Sequence, residues 1–178
     1  MPHPSEHARP THDLTPEFLT KLKRMLEVSY REPLVEDWDH AIGGVHFYLE
    51  EDGEPVVHAS VVERRLETAG RAFRTGYVEA VATRPDRRRR GLASRVMQAA
   101  TAHVMEEYEL GGLCTGENDF YARFGWETWR GATFVRTDDG LVRTGDEDGS
   151  VMILRAGPSA DVDLDGTISC EWRSGDVW

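Results

Sequence analysis

The sequence has little of what makes a disulfide scaffold, a metal cluster, a membrane span or a nucleic-acid binder. Its two cysteines, Cys114 and Cys170, lie far apart, and neither has a second Cys or a His beside it at metal-ligand spacing. Two reduced thiols and no metal are expected. The seven histidines are scattered, with no pair at the spacing of a zinc motif. No run approaches the ~18 apolar residues that cross a bilayer. The stretch Met1 to His12 is rich in His and Pro and lacks the apolar core of a signal peptide. A cytoplasmic location and no membrane partner are expected, with residues 1–13 a flexible arm. Positive charge is also scarce: 21 Lys and Arg against 32 Asp and Glu leave a net charge of −11. Phosphate repulsion then argues against nucleic acid as a partner.

What is present is an ordinary globular composition, 39% hydrophobic and 30% charged, in a chain of 178 residues. That suits one domain, expected over 14–178. The charge is unevenly placed. Arg84, Arg87, Arg88, Arg89 and Arg90 form a basic knot, while Glu32, Glu36, Asp37, Asp39, Asp138, Asp139, Asp146, Glu147 and Asp148 form acidic groups elsewhere. Such a chain suits an anion at the knot and a cation at the acids.

Thr15-Pro16-Glu17 is a helix start, with Phe18, Leu22, Met25 and Leu26 following at helical spacing. A second short helix is expected over Leu34 to Ile42. Strands are expected from Val45, from Pro55 to Val62 after an Asp52-Gly53 turn, and from Ala72 to Thr83. Between Gly91 and Tyr108 the apolar period becomes helical, through Leu92, Val96, Ala100 and Val104. A short strand, a short helix over Asp119 to Phe124 and further strands with acidic turns follow. The fold class is α+β in three layers, with a mixed, mostly antiparallel sheet flanked by helices.

The informative unit runs from Tyr77 to Ser94: a strand, an arginine loop, then directly a long helix. A helix start presents unpaired N–H groups and the positive end of the dipole, which suit phosphate. Gly91 and Ala93 leave room for an anion, and neighbouring arginines offer bidentate contacts. Three readings stand on the residues alone: a solvated basic turn, a nucleic-acid patch, or a small-molecule pyrophosphate site. Arg88-x-x-Gly91-x-Ala93 in this context resembles the signature of the GNAT acetyltransferases. The resemblance implies a coenzyme A pyrophosphate held by Arg88, Arg89, Arg90, Gly91, Leu92, Ala93 and Ser94, and a pantetheine arm paired with the backbone of Val81, Ala82 and Thr83. Acetyl-CoA is then the acetyl donor, with no metal.

Glu79 lies within the apolar strand Tyr77-Val-Glu-Ala-Val-Ala82, where the period of two sets it with Tyr77 and Val81. It is either a strand-edge carboxylate facing solvent or a general base for a substrate ammonium, usually through water. Tyr121, between Phe120 and Phe124, reads as core from its surroundings. Yet Tyr121-x-x-x-Gly125-Trp126 resembles the second half of the acetyltransferase pattern, which implies a proton donor to the departing thiolate. Asn118 is a further candidate for the cofactor arm.

Cys170-Glu-Trp-Arg-Ser-Gly-Asp-Val-Trp178 resembles the tail of aminoglycoside 2′-N-acetyltransferases, as do Asp37-Trp38-x-His40 with Gly43-Gly44, Tyr77-Val-Glu79 and Asp146-Glu-Asp-Gly-Ser-Val151. The resemblance implies a polycationic aminoglycoside bound by Glu32, Asp37, Glu79, Glu147, Asp148, Asp176 and Trp178, with Cys114 touching the sugar. The tail is expected to be a strand ending in the acceptor site. Glu32 and Glu147 stand where the family has Asp, Cys114 where it has Ser, and the Gly116 to Phe120 stretch is about two residues short; a narrower substrate such as kasugamycin is therefore one expectation. Direct transfer is expected, because Cys114 has no His or Asp nearby in sequence to make it an acyl carrier. Alternatives left open are another amine (polyamine, amino sugar or peptide N-terminus) and a non-catalytic binding module. A homodimer is compatible with the sequence.

Overall fold

The computed structural model describes residues 4–31, 33–34 and 36–178. Its elements in chain order are β1 (Ser5–Pro10), α1 (Pro16–Tyr30), α2 (Glu36–Ala41), β2 (Val45–Glu51), β3 (Glu54–Thr68), β4 (Arg71–Thr83), α3 (Leu92–Glu107), β5 (Leu110–Cys114), α4 (Asn118–Ala122), β6 (Glu127–Thr128), β7 (Thr133–Thr137), β8 (Gly140–Arg143), β9 (Val151–Arg155) and β10 (Ile168–Glu171). The class is α+β, a mixed and mostly antiparallel sheet with few helices; β4–β5 and β7–β10 are the parallel pairs.

The chain forms two compact units. The first holds the described part of Met1–Val62 with Val78–Ala100, the second Glu63–Tyr77 with Thr101–Trp178. In the first, β1 pairs antiparallel with β2 from Ser5↔Glu50 to Pro10↔Val45, and β2 pairs with β3. Residues 5–10, expected within a loose arm, are therefore a strand. Their polar side chains carry no period, and the pairing is made by backbone groups that sequence patterning does not register. The hairpin turn has Asp52 and Gly53 both at positive φ, 51° and 78°, as a two-residue turn of right-twisted strands requires. Helix α1 starts as its sequence predicts. The Thr15 hydroxyl accepts from the Phe18 N–H at 3.2 Å, and Pro16 fills the first position. The helix buries Leu22, Met25, Leu26 and Ser29. Met25, Leu26 and Leu34 pack with Ala82 of β4, and Trp38 of α2 and Ala80 lie against that cluster.

In the second unit the strand order is β6-β9-β5-β4-β3-β10-β7-β8. Strand β3 continues to Thr68, beyond the expected end at Val62, and turns at Ala69-Gly70. The core is built from Trp126, Trp129, Phe73, Leu66, Leu110, Leu113 and Met152, each essentially inaccessible. Both indoles keep a polar partner: Trp126 Nε1 donates to Thr101 Oγ1 and Trp129 Nε1 to the Gly166 carbonyl, each at 3.0 Å. Truncating either to Ala would cost about 3–5 kcal/mol. Among the described residues, no helix is long and apolar enough to cross a membrane, and no group of three His, Cys, Asp or Glu is placed to hold a metal.

Candidate active site

In the first unit, the arginine knot sorts into engaged and unengaged groups. Arg84 and Arg87 both grip Asp86, Nε of Arg84 to Oδ1 at 2.9 Å and NH1 of Arg87 to Oδ2 at 2.6 Å. Arg87 also donates to Glu51 at 2.8 Å. Arg88 gives Nε to the Thr83 carbonyl at 3.2 Å and NH2 to the Ser29 carbonyl at 2.7 Å, tying the loop to the end of α1. Three of the five arginines thus build the loop, and Arg88 is a brace where a bidentate phosphate contact was expected. Arg89 and Arg90 are exposed and have no hydrogen bond or ion pair among the described contacts. They immediately precede Gly91, whose φ of +72° favours glycine, and an added Cβ there would meet nothing within 4 Å. Helix α3 begins at the next residue. Two unengaged guanidinium groups, an unobstructed backbone and a sixteen-residue helix start therefore coincide.

The end of β4 feeds this loop. Ala80 has φ +51° inside an extended strand, and the departure breaks the pleat. The alternation that sets Glu79 with Tyr77 consequently does not carry on to Val81, contrary to the period-two expectation. Tyr77 and Val78 are buried, Glu79, Ala80, Val81 and Thr83 half-buried, and Ala82 buried. The Val81 carbonyl accepts from the Tyr30 hydroxyl at 2.8 Å, which uses one of its two lone pairs. The Glu79 carbonyl accepts from the Ser60 hydroxyl at 3.4 Å. Asp37 is exposed on α2, and Glu32 lies outside the described residues.

In the second unit, Tyr121 on α4 is buried, and burial pushes its hydroxyl up to about 12 even though Thr115 hydrogen-bonds it. It stays protonated across neutral pH, as an acid must. Its gap from an ordinary thiol near 8.5 widens to roughly 5 kcal/mol, much more than an unperturbed tyrosine would give. Asn118 gives its amide to Thr128 Oγ1 at 2.8 Å and to the Gly149 carbonyl at 2.9 Å, so its donors serve the acidic turn.

That turn brings several expected residues together. Cys114 Sγ donates to Glu147 Oε2 at 3.2 Å. Glu147 takes its backbone place from the Thr144 carbonyl, and Thr144 Oγ1 accepts from Trp178 Nε1 at 2.8 Å. Asp148 is differently engaged. Arg143 meets both its oxygens, and Thr133 adds its N–H at 3.2 Å and its hydroxyl at 3.0 Å. These contacts, Arg143 first, hold the carboxyl at about 2. Asp148 therefore fixes the turn and has little capacity left for a substrate ammonium. The tail after Glu171 is not the expected strand. It turns at Gly175, φ +75°, and buries Trp178 to 2% exposure. Arg173 draws in the carbonyls of Asp176 and Trp178, Arg64 holds the Val177 carbonyl at 2.8 Å, and Asp176 Oδ1 accepts from the Trp178 N–H at 3.2 Å.

Sequence reading missed Tyr30, Thr115, Arg143, Arg64, His46 and His58. Arg143 carried a usable signal, a cation five residues before Asp148 with a glycine between; Tyr30, fifty-one residues from Val81, carried none.

Comparisons with known proteins place the chain in a family. The family described as "Acetyltransferase (GNAT) domain" matches residues 12–129. The chain belongs to this acetyltransferase family. A curated relative from Mycolicibacterium fortuitum, named aminoglycoside 2′-N-acetyltransferase, is 39% identical over 94% of this chain and 89% of its own length. Two solved structures share the fold over nearly the whole chain. A GNAT family N-acetyltransferase from Escherichia coli, in complex with CoA, is 15% identical with a TM-score of 0.66, covering 96% of this chain and 92% of its own. A GNAT family acetyltransferase from Brucella melitensis, in complex with acetyl-CoA, is 17% identical with a TM-score of 0.63, covering 97% and 98%.

Proposed function

We propose that the protein transfers the acetyl group of acetyl-CoA to the 2′-amino group of an aminoglycoside by direct attack. The observation that carries the donor half is the pair of unengaged arginines, Arg89 and Arg90, immediately before an open Gly91 at the start of α3. The acceptor half is supported by the 39% identity to a protein of that name over 94% of this chain. Arg89, Arg90 and the amides from Gly91 to Ser94 take the pyrophosphate, and the backbone of Val81, Ala82 and Thr83 pairs with the pantetheine arm. Arg88 keeps the loop in place.

Glu79 removes a proton from the substrate ammonium through water, which frees the nitrogen lone pair. The amine attacks the thioester carbonyl, an N–C bond forms, and the C–S bond breaks with its electrons on sulfur. Tyr121 hydrogen-bonds that developing charge and gives its proton to sulfur while the proton leaving the new amide nitrogen restores it, so that no tyrosinate accumulates across so wide a pKa gap. Asp37, Glu147 and Asp176 remain for substrate ammonium groups, each contact contributing about 1.5–3 kcal/mol. The Glu147–Cys114 contact takes up part of one of these carboxylates, which favours a narrower acceptor range, kasugamycin among the candidates.

The test is thiol release from acetyl-CoA across a panel of amines: aminoglycosides with a 2′-amine, kasugamycin, otherwise similar compounds with a 2′-hydroxyl, polyamines and an amino sugar. Turnover confined to compounds with the 2′-amine is expected. Equal turnover of the 2′-hydroxyl compounds, or of polyamines alone, would overturn the acceptor assignment.

A further inference from the structure

Two histidines that the acetyl-transfer reading does not use lie in the first unit with no solvent exposure, His46 on β2 and His58 on β3. They form a continuous chain of short contacts. Thr11 Oγ1 lies 2.8 Å from His46 Nε2, His46 Nδ1 lies 2.8 Å from His58 Nε2, and His58 Nδ1 lies 2.8 Å from the Ala80 carbonyl. One end fixes every proton. A carbonyl only accepts, so His58 Nδ1 carries hydrogen and donates. With the ring neutral, His58 Nε2 is an acceptor, so His46 Nδ1 carries hydrogen too. His46 Nε2 then takes the single proton of the Thr11 hydroxyl at 2.8 Å, closer than the competing Gly44 carbonyl at 3.2 Å, and the hydroxyl oxygen accepts from the Gly43 N–H at 3.0 Å.

Burial keeps both rings neutral, with His46 lowered to about 4 and His58 to about 3. In strand register, Arg9 stands opposite His46 on β1 and Tyr48 opposite His58 on β2, and no carboxylate is a hydrogen-bond partner of either ring among the described contacts. The chain ends on a carbonyl that cannot take up a proton, so it does not conduct protons; it holds an orientation. What it holds is the residue at φ +51° that separates Glu79 from Val81. A non-glycine residue in that conformation persists only where its surroundings determine it.

We propose that His46 and His58 are positioning residues, a pair locked in one tautomer that fixes the Ala80 carbonyl and with it the backbone turn presenting Glu79 on one side and Val81 on the other. The role in turnover rests on the acetyl-transfer reading; the tautomer does not. Two measurements separate the failures. Long-range proton–nitrogen correlation on the parent protein at pH 6 should place one hydrogen on Nδ1 of each ring and none on Nε2. A hydrogen on Nε2 of either ring would overturn the lock whatever the enzyme acetylates.

The other measurement compares His58→Asn, whose amide nitrogen can reproduce the Nδ1 donor, with His58→Leu, which cannot donate. His58→Leu should lower kcat about tenfold while leaving KM for acetyl-CoA within about twofold, and His58→Asn should recover most of that loss. Equal impairment of both variants, or parent kcat in a folded His58→Leu, would reduce the pair to packing. If His58→Leu does not fold, the correlation experiment on the parent decides alone.

Discussion

The arginine loop in the first unit and the acidic turn in the other are both runs of like charge, yet they behave differently as structures. In the loop, Arg84, Arg87 and Arg88 are engaged by Asp86, Glu51 and two carbonyls, and Arg89 and Arg90 have no partner among the described contacts. In the turn, Asp148 is engaged by Arg143 and Thr133, and among the described contacts the Glu147 carboxylate meets the weak donor Cys114. A run of like charges thus contains both engaged and unengaged members. Which member is which depends on partners that the run itself does not contain.

The largest effect that would break this comparison is at the loop. Gly91→Asp puts a side chain at φ +72° and a negative charge beside the two arginines of the proposed pyrophosphate site. Acetyl-CoA affinity should fall by about 100-fold or more, near 3 kcal/mol, in calorimetry. Unchanged affinity would remove the pyrophosphate assignment. Next is Tyr121→Phe, which should slow turnover by about 10²-fold, the low end for a general acid because its hydroxyl is so weakly acidic. Turnover at the parent rate from pH 6 to 9 would return Tyr121 to the core.

A third test separates scaffold from site inside the knot. Arg89→Ala and Arg90→Ala should each raise KM for acetyl-CoA about tenfold and leave Tm unchanged, since each removes one charge-assisted contact. Arg88→Ala should lower Tm instead, because it releases the Ser29 and Thr83 carbonyls. Reversal of that pattern would mean that the engaged and unengaged groups are wrongly sorted.

A fourth test is in acid. His46 and His58 are lowered in the folded state, so the unfolded chain binds protons first and stability falls as pH drops below 6.5. The loss grows steadily from there until the rings titrate near 4 and 3. Asp148 is also lowered, so its contribution is present above 3.8 and disappears as pH falls through about 2. Hydrogen exchange at pH 5 should therefore show protection falling at β2 and β3 while the Asp148 turn is unaffected. Uniform loss at both would contradict the separation.

Much of this was legible in the sequence. The α1 cap, the Asp52-Gly53 turn, the α3 period and the strand–loop–helix unit depend on neighbours within a few residues, and each formed near its expected limits. Strand β1, the break at Ala80 and the turn of the tail did not show, because each is set by partners far along the chain. The site divides the same way. Gly91 and the arginines show a phosphate site by local pattern as one of three readings, and the family resemblance favours it. The braces, Tyr30 on Val81 and Ser29 on Arg88, arise when α1 packs near the end of β4.

The central claim is a chemical one, that the acetyl group ends on the 2′-nitrogen of an aminoglycoside. The protein should be incubated with acetyl-CoA and an aminoglycoside carrying several amines, and the product mapped by proton–carbon NMR. A single acetamide at the 2′ position is the predicted result. An acetyl group on any other nitrogen, or thiol release with no acetylated aminoglycoside, would contradict it.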